Sequence, residues 1–192
     1  MGSVNGWEAL APFRLLVVPG LHDSAAGHWQ SRWQRLYSVM ERKGMERVRQ
    51  GDWDDPQLDA WSARVDQQRA LDRRPTLFIA HSFGCLATVA SISRDPAHVA
   101  GLLLVAPAAP EKFGVAGLLP QSTLPCPSTV IASSNDPWMM QPAAALWARR
   151  WGSDFIDAGA LGHINAESGL GDWPAGQHYL CTLAQRAAQG LR

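Results

Sequence analysis

Thr76-Leu77-Phe78-Ile79-Ala80-His81-Ser82-Phe83-Gly84-Cys85 is the stretch that decides how this chain folds. Residues 76–80 are apolar throughout. A short run that is apolar on both sides suits a central parallel strand covered on both faces. The run passes directly into His81-Ser82-Phe83-Gly84 and then into a small-residue helix, Cys85 to about Ser93. Strand, then small-x-Ser-x-Gly, then helix is the pattern of a nucleophile elbow. Such a turn is so tight that the positions two before and two after the serine must carry little or no side chain. Ala80 and Gly84 meet that need, with Ala80 standing where Gly is commoner. The turn would lift the Ser82 hydroxyl to the C-terminal end of the strand and the N-terminus of the helix, where backbone N–H groups converge. The plainer reading is a tight strand-to-helix turn with an incidental serine.

Outward from this stretch, strand and helix patterns alternate. Arg14 to Val18 reads as a buried strand ended by Pro19-Gly20. Asp23 or Ser24 is a candidate cap for the helix that follows, in which Ala25, Trp29, Trp33, Leu36 and Tyr37 recur at spacings of three and four. Glu46 to Gln50 is a second strand and 51–56 a loop. A helix over about Leu58 to Ala70 places Leu58, Trp61 and Val65 on one face. Val99 to Val105, Ser128 to Ala132 and Asp154 to Asp157 complete six strands. Helices are expected over Pro142 to Trp151 and Trp173 to Ala188. Such alternation means βαβ units, a parallel sheet of about six strands and helices on both faces. Pro107 to Pro127, the longest irregular stretch, is a candidate loop over a pocket. One domain spans 1–192, with residues 1–12 expected to be disordered.

Composition removes several function classes. In 192 residues, Lys plus Arg (17) balances Asp plus Glu (17), so no net field would gather phosphates or anionic lipid. That argues against nucleic-acid and membrane-surface roles. No apolar run reaches the roughly 18 residues that a membrane span needs. The three cysteines, Cys85, Cys126 and Cys181, are too few and scattered for a disulfide framework or a CxxC metal site. The first residues lack the basic and apolar regions of a signal peptide. A cytoplasmic protein with reduced thiols is the expectation, and composition leaves the oligomeric state open.

A serine hydroxyl is a poor nucleophile until a base takes its proton. Six histidines are candidates: His22, His28, His81, His98, His163 and His178. His81 adjoins Ser82 but points away along the strand. His98 lies at the wrong end of the sheet, and His178 falls on the last helix. His163, in Gly159-Ala160-Leu161-Gly162-His163, follows the sixth strand on the same edge as Ser82. It is the preferred base. Asp136, in Ser133-Ser134-Asn135-Asp136-Pro137, ends the fifth strand on that edge and is the preferred acid, with Asp154 and Asp157 as competitors. The chain order Ser82, Asp136, His163 is the nucleophile–acid–base order of the α/β-hydrolase arrangement. For the developing oxyanion, the Phe83 N–H is one candidate donor. The Leu21 N–H is the better candidate for the second, ahead of His22. Trp53 and Trp138 belong to the same edge, and with His22 they are candidates for lining a substrate pocket. The other weighing for the two tryptophans is simple loop anchoring. Asp54 and Asp55 with His22 and Asp23 show no converging metal-ligand spacing, so no metal is expected.

Taken in order, Val17-Val18-Pro19-Gly20, the helix bearing Trp29, Asp52-Trp53-Asp54-Asp55-Pro56, His81-Ser82-Phe83-Gly84, Ser134-Asn135-Asp136-Pro137 and Gly162-His163-Ile164-Asn165 resemble the small serine hydrolases of the retinoblastoma-binding protein 9 and YdeN type. These form a lid-poor branch of the α/β-hydrolases. The resemblance runs from about Arg14 to Gln185. It implies that Ser82, Asp136 and His163 match the family's triad, and that the sheet lacks the first two strands of larger hydrolases, with little or no cap. The expected activity is cleavage of a carboxylic ester or thioester of a small molecule through an acyl-enzyme, with no cofactor. The rival is a binding protein on a hydrolase scaffold with weak or vestigial activity.

Overall fold

The computed structural model describes residues 6–41 and 44–190. The strands are β1 (Arg14–Val18), β2 (Glu46–Arg47), β3 (Thr76–His81), β4 (Val99–Val105), β5 (Ser128–Ala132) and β6 (Asp154–Asp157). They form one six-stranded sheet in the order β2-β1-β3-β4-β5-β6, and every pair is parallel. The crossovers are α1 (Trp29–Glu41) after β1, α2 (Leu58–Ala70) after β2, α3 (Phe83–Arg94) after β3 and α4 (Gln141–Trp151) after β5, and α5 (Pro174–Gly190) follows β6. Only β4 and β5 are joined without a full helix. The segment between them folds into two 3-10 turns, Pro110–Phe113 and Ala116–Leu118.

Strand order fixes where a site can form. The chain builds outward from β1 to β2, then returns past β1 to β3 and onward. The reversal lies between β1 and β3. In open α/β sheets the loops leaving the C-terminal ends at such a point diverge and leave a crevice. Here the diverging loops begin at Pro19 after β1 and at Ser82 after β3. Gln30, fully buried on α1, bridges the gap: its amide donates to the carbonyls of Val18 (3.3 Å) and Ile79 (2.9 Å).

The central strands are apolar on both sides because helices cover both sides. Side chains alternate across a strand. Leu16 and Val18 of β1, Phe78 and Ala80 of β3 and Leu102 and Leu104 of β4 share one core with Trp61, Leu86, Trp147 and Trp151. The alternate residues, Leu15, Val17, Leu77, Ile79, Leu103 and Val105, share the other with Trp29, Trp33, Trp173 and Leu183. His81 continues the second series, on the side of α1 and α5.

The structure departs from the sequence reading in three places. First, β2 is two residues long rather than Glu46 to Gln50, although Val48 still donates to the Val17 carbonyl (2.9 Å) beyond its end. Second, neither Asp23 nor Ser24 caps α1, which begins at Trp29. Asp23 instead accepts from Arg47 (2.7 Å), and Ser24 donates to Gln30 (2.5 Å). The polar side chains that looked like caps hold a loop. Third, the disorder expected over 1–12 does not extend through residues 6–12. Gly6–Leu10 is a 3-10 helix with Trp7 and Leu10 buried in the core beside α5, and residues 1–5 lie outside the described residues. Apolar side chains at Trp7 and Leu10 outweigh the absence of a longer helical pattern. Among the described residues no helix is long and apolar enough to cross a membrane, and none forms a separate cap domain.

Candidate active site

Ser82 sits at the tip of β3 with φ 54° and ψ −127°, a region L-residues seldom enter. The surroundings enforce it. A side chain on Gly84 would meet the carbonyl oxygens of Pro19 and Val18 at 2.3 and 2.6 Å, so only glycine lets α3 begin this close to β1. A side chain on Gly20 would strike Ser82 Cβ at 2.6 Å, so glycine there lets the β1 loop come up beside the serine. Phe83, fully buried, anchors the start of α3 edge-on against Trp61 and tilted against Phe113, at 5.2 and 4.9 Å between ring centres.

Asp136 and His163 arrive from the ends of β5 and β6. His163 Nδ1 lies 3.0 and 2.9 Å from the two Asp136 carboxylate oxygens, and His163 Nε2 lies 2.8 Å from Ser82 Oγ. The histidine and aspartate side chains are 10% and 2% exposed, so solvent screens their pairing little. The Trp138 N–H also donates to Asp136 (2.9 Å) and fixes the carboxylate's orientation. The competing acids are engaged elsewhere: Asp154 pairs with Arg186, and Asp157 accepts from Gly159 N–H and Gln141. The Thr76 N–H donates to the His98 carbonyl at the opposite end of β3, and His178 is exposed on α5.

The two loops that carry Asp136 and His163 are stitched to each other. Asn135 Oδ1 accepts from Gly162 N–H (2.7 Å) and from Ser133 Oγ (2.9 Å); Ser133 Oγ accepts from Leu161 N–H (2.9 Å); Ser134 N–H donates to Gly159 O (2.9 Å). From beneath, His81 Nε2 donates to the His163 carbonyl (2.9 Å), and the Trp29 indole donates to the Ile164 carbonyl (2.8 Å). These supports escape a linear reading. Trp29 looks like core packing, and His81 looks like a residue pointed away from the chemistry. It does point away from the serine, and it reaches the His163 backbone instead.

A cavity of about 450 Å³ opens beside Ser82, lined among others by Leu21, His22, His28, Phe113, Trp138 and His163. Of the residues expected to line it, His22 and Trp138 do. Trp53 does not: it is half-buried, edge-on to Trp61 at 5.8 Å, and contributes its carbonyl, which accepts the His22 N–H at 3.0 Å. That bond leaves the His22 N–H unavailable to an oxyanion. Among the described residues nothing takes up the N–H of Leu21 or of Phe83. Two other histidines approach the site. Burial, then the neighbouring His28 and His163, hold His81 well below the usual histidine range. Burial, then Arg47 and His163, lower His28 to about 4. Both are neutral at pH 7. A neutral His81 with its proton on Nε2 is what a donor to the His163 carbonyl requires.

Comparison with known proteins agrees with this architecture. A hydrolase of Pectobacterium atrosepticum described as YdeN-like is 36% identical over 94% of this chain and 95% of its own, with a TM-score of 0.87. The ydeN gene product of B. subtilis matches at 17% identity and a TM-score of 0.74, covering 89% of this chain and 98% of that one. The RedJ thioesterase of Streptomyces coelicolor, from the prodiginine biosynthetic pathway, shares the fold at 15% identity and a TM-score of 0.59, with 90% of each chain covered. No curated protein sequence matches significantly. The family model for serine hydrolases matches residues 15–182, from β1 into α5. The chain is an α/β-hydrolase and belongs to the serine hydrolase family.

Proposed function

We propose that this protein cleaves a carboxylic ester or thioester of a small molecule through an acyl-enzyme, with Ser82 as nucleophile, His163 as base and acid, and Asp136 as the residue that holds His163. The observation that carries the reading is the continuous hydrogen-bonded chain from Asp136 through His163 to Ser82 Oγ, at 2.9 and 2.8 Å. Ser82 Oγ adds to the carbonyl carbon while His163 Nε2 takes its proton. The carbonyl oxygen becomes an oxyanion held by the Leu21 and Phe83 N–H groups. The intermediate collapses, the bond to the leaving oxygen or sulfur breaks, and His163 returns the proton to that atom. Water then adds to the acyl-enzyme with His163 as base, and the acid leaves as Ser82 regains its proton. Asp136 keeps the His163 proton on Nδ1, so that Nε2 faces the serine as an acceptor, and it stabilises the imidazolium. No cofactor takes part in this sequence. The cavity's mixture of Leu21, Phe113 and Trp138 with polar neighbours suits a small, mostly apolar substrate.

Intact-mass labelling with a fluorophosphonate tests the reading, because such probes react with serines that a base has activated. Wild type should take up one adduct and Ser82→Ala none. A folded wild type that takes up no adduct would sink the enzyme reading and favour a binding protein on this scaffold. After labelling, a panel of esters and thioesters would identify the leaving group.

A further inference from the structure

A second hollow, of about 370 Å³, adjoins the cavity that holds Ser82 and shares Trp138, His163, Asn165 and Glu167 with it. Its lining reaches neither Ser82 nor Leu21. The whole chain has no net charge, yet among the described residues neither hollow is lined by a lysine or an arginine. Two carboxylates line them. Asp23 is engaged with Arg47 at 2.7 Å. Glu167 is exposed, and among the described residues its carboxylate makes no hydrogen bond or ion pair. Its backbone is held: the Glu167 N–H donates to Asn165 Oδ1 (3.0 Å), and Ser168 Oγ accepts from the Asn165 N–H (3.1 Å) and donates to the Leu161 carbonyl (2.6 Å). A braced turn therefore carries an unpaired negative charge a few residues after His163. The Lys112 ammonium stands 5.7 Å from the centre of the Trp138 ring and donates to the Pro137 carbonyl (2.8 Å). It borders neither hollow and makes no ion pair with Glu167.

A cleft lined by one sign of charge, between walls of low dielectric, focuses its field on whatever enters. We propose that Glu167 is a specificity residue that selects an ester or thioester whose alcohol or thiol portion carries an ammonium group. The inference rests on the hydrolase reading above, which also decides the portion. The leaving oxygen or sulfur takes its proton from His163 Nε2, so the leaving portion lies against His163. What extends beyond it enters the hollow that has His163 but not the serine. There Glu167 supplies the opposite charge and Trp138 an aromatic face, a combination that suits an alkylated ammonium. A carboxylate or phosphate in that portion meets Glu167 with no lysine or arginine in the lining to offset it, and is rejected.

The test is an isosteric pair, acetylthiocholine and S-(3,3-dimethylbutyl) thioacetate, which differ by a quaternary nitrogen in place of a carbon. The readout is the ratio of their kcat/KM values, cationic over neutral, compared between variants so that intrinsic reactivity cancels. Glu167→Gln should lower the ratio about fivefold, and Glu167→Lys further still. In wild type the ratio should fall as salt rises from about 20 to about 500 mM, and in Glu167→Gln it should move less. A ratio that is the same in all three proteins overturns the proposal. So does an equal loss on both substrates with a fall in Tm, which would make Glu167 structural. A second pair, the methyl esters of 4-(trimethylammonio)butanoate and 5,5-dimethylhexanoate, moves the cation to the acyl side. A Glu167-dependent preference confined to that pair overturns the placement in the leaving portion. Where neither thioester is turned over, protection of Ser82 from a fluorophosphonate decides. Choline should protect at about fivefold lower concentration than 3,3-dimethylbutanol, and equal protection or none overturns the proposal. Ser82→Ala separates the two readings. Thioesters hydrolysed as fast by Ser82→Ala as by wild type defeat the hydrolase reading. Ser82-dependent turnover with a ratio indifferent to Glu167 defeats the Glu167 role alone.

Discussion

The two lips of the cavity are held in different ways. On one, the loops of Asp136 and His163 are sewn together through Ser133 and Asn135 and held from beneath by His81 and Trp29. On the other, residues 21–23 rest on the His22–Trp53 backbone bond, the Asp23–Arg47 pair and a His22–Asp54 contact whose side chains are 76% and 78% exposed. His22 and Asp23 both have positive φ, an unusual pairing for residues other than glycine. On the proposed mechanism the first lip fixes reacting atoms, where an error of an ångström costs rate. On the same mechanism the second presents the Leu21 N–H, and its residues Leu21 to Asp23 line the cavity. The difference predicts that substitutions on the first lip act on kcat, whereas those on the second act weakly and on KM.

The largest effect should come from Asp136→Asn. An amide at this position can donate to His163 Nδ1 and hold the ring in the wrong tautomer, with the proton on Nε2. By the general behaviour of such triads kcat should fall about 10⁴-fold with the fold intact. Steady-state rates and circular dichroism check it. A loss of only a few-fold would mean that the acid's role lies elsewhere on this lip.

His81→Phe comes next. It keeps the ring and removes the donor to the His163 carbonyl, so the base's backbone loses a strut. We expect kcat to fall about 10- to 100-fold with KM little changed. A KM effect alone would mean that His81 acts on binding. The same variant has a pH signature. In the unfolded chain a histidine takes up its proton near pH 6.5. Folded His81 and His28 resist protonation, His28 down to about 4. As pH falls below 6.5, the unfolded state therefore gains protons that the folded state does not, and stability drops. The His28 shift alone makes the protein roughly 3 kcal/mol less stable at pH 4 than at pH 7.5. His81→Phe removes one of the two contributions. Its stability deficit relative to wild type should be largest at pH 7.5 and shrink toward pH 4 in urea melts.

Much of this was legible in the sequence, and what was not has a common cause. β3 to β6 read correctly because short apolar runs bounded by Pro, Gly and Asp say what they are. That Ser82, Asp136 and His163 come together was legible because each ends such a run on the same edge of a parallel sheet. Trp29 and Trp33 show only a helical stripe in the sequence. In the structure their indoles also donate to the carbonyls of Ile164 and Asp172, 135 and 139 residues away. His81 likewise reaches 82 residues along the chain. Periodicity reports which face a residue takes, not which distant loop its polar atom meets. The loop from Leu21 to His28 was misread for the opposite reason. Its Asp and Ser have the local signature of a helix cap, yet Arg47 and Gln30 claim both side chains.

The smallest effect tests the weaker lip. His22 lines the cavity, but its side chain is exposed and its hydrogen bond with Asp54 lies in solvent, where such contacts contribute little. His22→Ala leaves the backbone bond to Trp53 in place, and with it the aim of the Leu21 N–H. Stability should shift by less than about 0.5 kcal/mol. The value of kcat should stay within about twofold, and any change should fall on KM. A tenfold loss of kcat would show that the positive-φ turn depends on this side chain. The lip would then be part of the fixed machinery, and the division between a rigid reacting side and a lightly held binding side would fail at the residue chosen to expose it.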